Sequence, residues 1–436
     1  MANSESPIDA VESDVKLPST PRLLQIMGPG LITGASDDDP SGIATYSQVG
    51  AQFGVAMGWV MLFSWPLMCA IQEISARIGR VTGRGIAGNL KAHYPRSILV
   101  ALVTLLLAAN VINLGADLGA MGAALALVIH GPQLAYVGLF ALVTILLETF
   151  VRYSRYVSVL KWLTLALFAY VGVAFVVHVD WPSVGYRLVA PAIEWTPTYL
   201  TSLVAILGTT ISPYLFFWQA EEEVEDVKER DGAKPLSRAP RAAKTEFGRI
   251  RIDTYVGMGF SNAVALFIII TTAATLHTHG VTDIQTSAQA AQALKPIAGA
   301  ATFVVFALGI VGTGLLAVPV LAGSAAYAVG EAFGWHVGLA RKLTRAKAFY
   351  ATIAVAVVVG AGLNFTPIDP VKALFWSAVI NGVVAVPVMV MMMLLTVRRE
   401  VMGRFTLPIG LKIVGWAATI VMAAAAVGMF ATMGRS

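Results

Sequence analysis

Gly34-Ala-Ser-Asp-Asp-Asp-Pro-Ser-Gly42 lies inside an otherwise apolar run, residues 23–54. The rest of the chain is read outward from these nine residues. Three consecutive carboxylates, Asp37, Asp38 and Asp39, sit beside a proline that cannot continue a helix and a glycine that relaxes one. A carboxylate within a membrane segment is costly, and such residues mark substrate or ion pathways. The spacing predicts a helix broken at Asp39-Pro40, with negative charge at the break.

Composition places the run in a bilayer. The chain has 436 residues, 57% hydrophobic and 13% charged, against about 25% charged in soluble globular proteins. Its one cysteine, Cys69, excludes a disulfide framework and a cysteine metal centre. Of six histidines (His93, His130, His178, His277, His279 and His336), only His277 and His279 are close, and they read as solvated loop side chains. Residues 1–22 are polar and lack the charged-then-apolar order of a signal peptide. They read as a disordered cytoplasmic tail.

A span needs about 20 apolar residues. Eleven segments qualify: 24–50, 53–78, 97–127, 133–151, 156–178, 198–219, 252–276, 297–330, 346–363, 372–396 and 407–431. With the N-terminus in the cytoplasm, 26 of the 30 Lys and Arg residues fall on that side, and only Arg187, Lys295, Lys372 and Arg435 do not. This positive-inside bias supports both count and orientation, with the C-terminus outside a bacterial-type inner membrane. It also accounts for the net charge of +5 as topology, without nucleic acid. The longest cytoplasmic connection is expected at 220–250. It starts Glu221-Glu222-Glu223-Val-Glu225-Asp226 and reads as a helix end entering a solvated, mixed-charge linker. The sharper reading is an acidic vestibule that concentrates cations.

The sixth span carries its own interruption, Gly208-Thr-Thr-Ile-Ser-Pro-Tyr214. Pro40 and Pro213 each break the first helix of a group of five. Five is odd, so residues 23–178 and 198–396 form two repeats of opposite topology, with 407–431 as an additional helix. Paired interruptions in corresponding segments point to a transporter site built by inverted repeats, where freed carbonyls meet cations. The expected fold class is an all-α polytopic membrane protein with a 5+5 inverted repeat and broken first and sixth helices.

Other polar residues inside spans are fewer. Asn110, Asn113 and Asp117 are spaced to share one helix face, either as a second wall of the pathway or as a helix-joining network. Asn262 and Asn381 read individually as packing residues. Glu73 with Arg77, and Glu148 with Arg152, have the spacing of helix-stabilising pairs near cytoplasmic ends. Gly312-Thr-Gly314 and Gly323-Ser324 fit close helix packing. The Met389 and Met391–Met393 stretch reads as apolar helix.

Taken together, Gly28-Pro-Gly-Leu-Ile, Asp39-Pro40 followed by Gly50-Ala-Gln-Phe-Gly54, Ser75-Ala-Arg-Ile-Gly-Arg-Val-Thr-Gly83, Asp117-Leu118 and Asp253-Thr resemble the NRAMP family of divalent-metal transporters. The resemblance covers most of the chain. It implies the LeuT-type fold, a transporter and not an enzyme, a divalent cation and the lipid bilayer as partners, and no cofactor. Nothing in the residues specifies an oligomeric state. Two departures stand out. The family's Asp-Pro-Gly-Asn reads Asp39-Pro40-Ser41-Gly42 here, and its Ala-x-x-Met-Pro-His reads Thr209-Thr210-Ile211-Ser212-Pro213-Tyr214. Ser212 replaces a thioether ligand, Tyr214 replaces a histidine implicated in proton movement, and Ala120 replaces a further acidic position.

A thioether favours softer transition metals, whereas carboxylate, carbonyl and water suit Mg²⁺, Ca²⁺ and Mn²⁺. Mg²⁺ dehydrates reluctantly and needs few direct protein ligands. The pattern is similar to the NRAMP-related magnesium transporters. By this resemblance the metal ligands are Asp39, the Thr209 carbonyl, Ser212 and Asn381. Asp37, Asp38, Ser41, Gly42, Thr210, Tyr214, Asn113 and Asp117 line the pathway. The expected activity is inward movement of Mg²⁺, and of Mn²⁺, by alternating access. Tyrosine does not titrate near neutral pH as histidine does, so proton coupling is expected to be weak or absent.

Other activities fit less well. The alternative within the family is a proton-coupled Mn²⁺/Fe²⁺ importer. An amino-acid carrier would place a substrate carboxylate against three Asp residues. An intramembrane aspartyl hydrolase with an Asp39/Asp117 dyad lacks Gly-x-Gly-Asp and leaves the second break unexplained. No His-Glu-x-x-His arrangement occurs.

Overall fold

The two X-Pro steps act on the backbone as their chemistry requires. A residue before proline is driven to extended conformation, and proline suits the first helical position. In the computed structural model, which describes residues 33–34, 36–151, 163–230, 232–339 and 341–434, residues 33–34 and 36–37 are helical and the helix stops at Asp38. Asp39 is extended (φ −69°, ψ 170°), and α1 (Pro40–Phe53) starts at the proline. The second break repeats the pattern. Helix α8 (Pro197–Thr210) ends at Ile211, Ser212 is extended (φ −83°, ψ 134°), and α9 (Pro213–Glu229) starts at Pro213.

Between the breaks run α2 (Trp59–Thr82), α3 (Ile86–His93), α4 (Arg96–Ile129), α5 (Gln133–Phe150), α6 (Phe168–Val176) and α7 (Trp181–Val189). After them follow α10 (Ala243–Thr275), α11 (Thr302–Phe333), α12 (Lys347–Gly362), α13 (Pro370–Val397) and α14 (Ile409–Met433). No strand occurs among the described residues. Eight helical segments there are long and apolar enough to cross a membrane, with α8 and α9 taken together as one. A sharply bent pair, 165–176 with α7, folds through 117°. Helix α2 has the length of a span, 24 residues, but its second half carries Gln72, Glu73, Arg77 and Arg80. The 1–22 tail and the starts of the 24–50 and 156–178 segments lie outside the described residues, as does Arg152. Helix α7 is an addition to the sequence reading. Asp180 caps it by accepting from the Ser183 amide, and Trp181 and Tyr186 are exposed on it.

Small residues let the broken helices approach their neighbours. Gly208 on α8 lies directly against α13: a Cβ there would fall on the Ala378 carbonyl and the Gly382 backbone. Gly79 on α2 is pressed in the same way against the Ala220 carbonyl of α9. Helix α4 packs on α11 through small residues, with Gly314 against the Met121 sulfur. Asn110 donates to the Leu321 carbonyl (3.0 Å) and to Ser324 Oγ (2.8 Å). Asn262 donates to the Met61 carbonyl (2.6 Å). These two asparagines therefore join helices. The Met389 and Met391–Met393 run is buried within α13.

One sequence expectation is corrected. Residues 220–250 are not a loop. Helix α9 continues through the acidic run to Glu229, α10 starts at Ala243, and the connection is confined to 230–242. Glu221 and Glu223 are buried. The physical reason is charge pairing across helix ends. Arg80 meets Asp226 (2.7 Å) and Glu246 (2.8 Å), Arg249 meets Glu223 and Glu246, and Arg230 meets Asp226 (2.9 Å). With Glu223, Glu225 and Asp226 matched, the apolar face of Phe216, Val224 and Val227 carries α9 onward. The acids form a clamp between α2, α9 and α10 instead of an open vestibule. The Glu73–Arg77 pair is present at 2.6 Å. His277 and His279 are exposed, as expected, but His277 Nδ1 also lies 2.7 Å from the Ala51 carbonyl.

The Gly208 contact gives a direct test. Gly208→Val should lower stability by about 1–3 kcal/mol, the usual range for overpacking, whereas Gly362→Ala, with nothing near its would-be Cβ, should change it by less than about 0.5 kcal/mol. Thermal unfolding in detergent checks the pair.

Candidate functional site

The three carboxylates at the first break are almost completely buried: Asp37, Asp38 and Asp39 are 1%, 2% and 2% exposed. They do not act as one cluster. Among the described residues, no three His, Cys, Asp or Glu side chains converge on a point suited to a metal ion. Adjacent residues at a helix end point in different directions, and here the directions differ in partner.

Asp39 is the hub. Its Oδ1 accepts from the Gly42 amide (2.6 Å) and from Ser41 Oγ (2.8 Å), so the side chain caps α1. Its Oδ2 accepts from Asn113 Nδ2 of α4 (3.1 Å) and from the Tyr214 hydroxyl of α9 (3.4 Å). Tyr214 also reaches the Ser36 carbonyl (3.2 Å), which the first break frees. One carboxylate thus gathers donors from α1, α4 and α9. Asn113 extends the network, because its Oδ1 accepts from Ser377 Oγ of α13 (2.6 Å). Ser377 was not singled out from the sequence. The available signal was its spacing, one helical turn before Asn381 on α13.

The second break is built differently. Ser212 does not cap its own helix. Its hydroxyl turns back to the last carbonyls of α8, those of Gly208 (2.6 Å) and Thr209 (2.7 Å). The Thr209 and Thr210 hydroxyls also bond within α8, to the Ile206 carbonyl at 2.8 and 3.0 Å. The Thr209 carbonyl expected to face an ion is therefore held by Ser212 in this conformation. Helix α9 begins without a side-chain cap, with Tyr214 beside its N-terminus.

Two buried polar groups near the hub lack partners among the described residues. Both carboxylate oxygens of Asp117, one helical turn after Asn113 on α4, make no well-formed hydrogen bond. Asn381 Oδ1 is also unpaired. It stands one residue before Gly382, which touches Gly208 of α8. Asn113, Tyr214, Ser41 and Gly42 thus assemble around Asp39, with Gly42 contributing only its amide. Asn381, Thr209 and Ser212 border the second break without touching Asp39. Asp37 and Asp38 turn away toward Ser261 of α10.

A cavity of about 500 Å³ opens where α1 ends and α8 begins. Gln48, Ser202, Asp283, Lys372 and Trp376 line it. Gln48 ties α1 to the segment after α10, accepting from the Ile284 amide (2.8 Å). Ser202 Oγ is buried without a partner among the described residues, seven residues before Thr209, or about 10 Å of helix rise. The cavity thus approaches the breaks from the end opposite the Arg80 and Arg249 ion pairs.

Similarity to known proteins agrees with this arrangement. The chain is 28% identical over 411 residues to the divalent metal cation transporter MntH of Burkholderia ambifaria, covering 92% of this chain and 87% of the relative. It is 26% identical over 422 residues to the protein of the same name from Deinococcus radiodurans, covering 92% and 88%. Its fold matches the crystal structure of the Eremococcus coleocola manganese transporter with a TM-score of 0.69 at 17% identity, covering 92% of this chain and 85% of that one. The family model described as natural resistance-associated macrophage protein-like matches residues 30–432, and the chain therefore belongs to the Nramp family.

Proposed function

We propose that this Nramp-family protein carries a divalent cation across the membrane by alternating access, at a site between the two helix breaks, and that Mg²⁺ is preferred to Mn²⁺. The observation that carries the reading is the set of candidate ligand atoms at the two breaks. They are all oxygens: the buried Asp39 carboxylate, the Ser212 hydroxyl, the Thr209 carbonyl and the unpaired Asn381 Oδ1. Ser212 stands where the family's thioether is expected. Oxygen donors suit hard cations, and a weakly dehydrating ion needs few direct ligands.

In this reading Asp39 supplies the charge. Rotation of Ser212 releases the Thr209 carbonyl and its own hydroxyl, and Asn381 completes the shell through its unpaired Oδ1. Asp37, Asp38, Thr210 and Asp117 border the route. The cavity beside Gln48 and Ser202 is the outer approach, and the ion-paired ends of α2, α9 and α10 close the cytoplasmic side. Residues 23–178 and 198–396 are the two moving repeats, with 407–431 outside them, the N-terminus in the cytoplasm and the C-terminus outside an inner membrane. A tyrosine hydroxyl is not a neutral-pH titrating group as an imidazole is, so Tyr214 in the place of the family's histidine favours transport with little proton coupling.

A second reading is a proton-coupled Mn²⁺/Fe²⁺ importer; the structurally similar Eremococcus coleocola protein is described as a manganese transporter. Lumen acidification during Mn²⁺ uptake would distinguish it.

Two variants test the proposal. In proteoliposomes loaded with a Mg²⁺-sensitive dye, Asp39→Ala should slow Mg²⁺ entry at least about tenfold, since even outer-shell partners of a metal are worth that much; unchanged entry would refute Asp39 as the ligand. Ser212→Met adds a soft donor, so it should raise uptake of Mn²⁺ and Cd²⁺ relative to Mg²⁺. An unaltered ratio in a folded variant would mean that position 212 does not face the ion.

A further inference from the structure

Asp37 and Asp38 have a setting that capping and packing do not explain. Capping of α1 is carried out by Asp39 alone. Ser261 Oγ of α10 lies 2.7 Å from Asp37 Oδ2 and 3.0 Å from Asp38 Oδ1. A serine hydroxyl has one proton to donate, so it cannot satisfy two carboxylates at once. Asp37 Oδ1 has no partner among the described residues, and neither carboxylate there makes an ion pair. A second, independent group points to the same place. Tyr46 of α1 is fully buried and its hydroxyl makes no well-formed hydrogen bond among the described residues; its ring and the Asp37 backbone carbonyl meet at Gly42, each 3.3 Å from the Cβ that this glycine lacks. An uncompensated pair of carboxylates in a dry interior is very costly; uptake of a proton or of a cation removes that cost, and only a cation also gives the unpaired oxygens of Asp37 and Tyr46 a common partner.

We propose that Asp37 and Asp38, with the oxygens of Ser261 and Tyr46, form a second cation subsite, separate from Asp39, that accepts a hard divalent ion such as Mg²⁺ or Mn²⁺. Two carboxylates neutralise the double charge. Two hydroxyls supply neutral oxygen ligands, and the absence of sulfur and nitrogen from this set matches a hard ion. The subsite draws on α1 and α10, whereas the Asp39 hub draws on α1, α4 and α9. It rests on the proposed function only in that the two ions share one pathway.

The test counts ions. Purified full-length protein in detergent is titrated with Mn²⁺, and free Mn²⁺ is read by electron paramagnetic resonance. The wild type should bind two Mn²⁺ per chain. Asp37→Asn and Tyr46→Phe should each weaken one of them by about tenfold or more and leave the other unchanged. Asp39→Asn should do the converse. Tyr46→Phe removes a single oxygen and keeps the ring, so it carries the test if the carboxylate variant fails to fold. A single bound Mn²⁺, or two that ignore Asp37→Asn and Tyr46→Phe, would overturn the subsite. Loss of one ion in Asp37→Asn with no effect of Asp39→Asn would uphold it and remove Asp39 from the proposed site.

Discussion

A helix broken inside a bilayer frees backbone amides and carbonyls that no water can satisfy, and the rest of this structure depends on how two such breaks are resolved. At the first, the Asp39 carboxylate holds the Gly42 amide, and Tyr214 takes the Ser36 carbonyl. At the second, the Ser212 hydroxyl shares its one proton between the Gly208 and Thr209 carbonyls. Tyr214 belongs to the second break yet serves the first, so the two are joined. Helices α4 and α13 enter through Asn113 and Ser377, which continue the network from Asp39. Polar groups that would be liabilities singly become a connected site.

The two breaks differ in what they leave available. Asp39 offers charge but already has four hydrogen-bond donors. Ser212 bonds carbonyls that are intrinsically good ligands for hard cations. On the proposed function, an ion would enter by exchange, taking oxygens that now accept from, or donate to, one another. The same exchange would couple occupancy to the angle between α8 and α9, because the Ser212 hydroxyl holds the end of α8. The ion pairs of Arg80 and Arg249 with Glu223, Asp226 and Glu246 join α9 to α2 and α10. They also oppose any tilt of α9 that opens the end away from the Gln48 cavity.

Much of this was legible in the residues because bilayer physics is restrictive. Pro40 and Pro213 located both breaks to the residue, and the apolar runs located most helices to within a few positions. The acidic run at Glu221 was misread, because a charged stretch looks solvated unless its partners are known. Those partners, Arg80 and Arg249, come from other helices. Asp39 stood out by its position before Pro40, and Asn113 by its helix face. Ser377 was silent, since a lone serine in an apolar helix has no meaning until Asn113 lies across from it. That Asp39 differs from Asp37 and Asp38 was legible in its place before Pro40, but that the other two share Ser261 was hidden. Side-chain direction at a broken helix is set by tertiary contacts such as Ser261, not by local sequence.

The most direct test of a hard-oxygen site is competition. Purified protein in proteoliposomes would be offered a fixed low concentration of Mn²⁺ with rising Mg²⁺, while uptake and lumen pH are recorded together. The account predicts that millimolar Mg²⁺ suppresses Mn²⁺ uptake and enters in its place, with the lumen pH steady. Mn²⁺ uptake that resists millimolar Mg²⁺ and acidifies the lumen would contradict it.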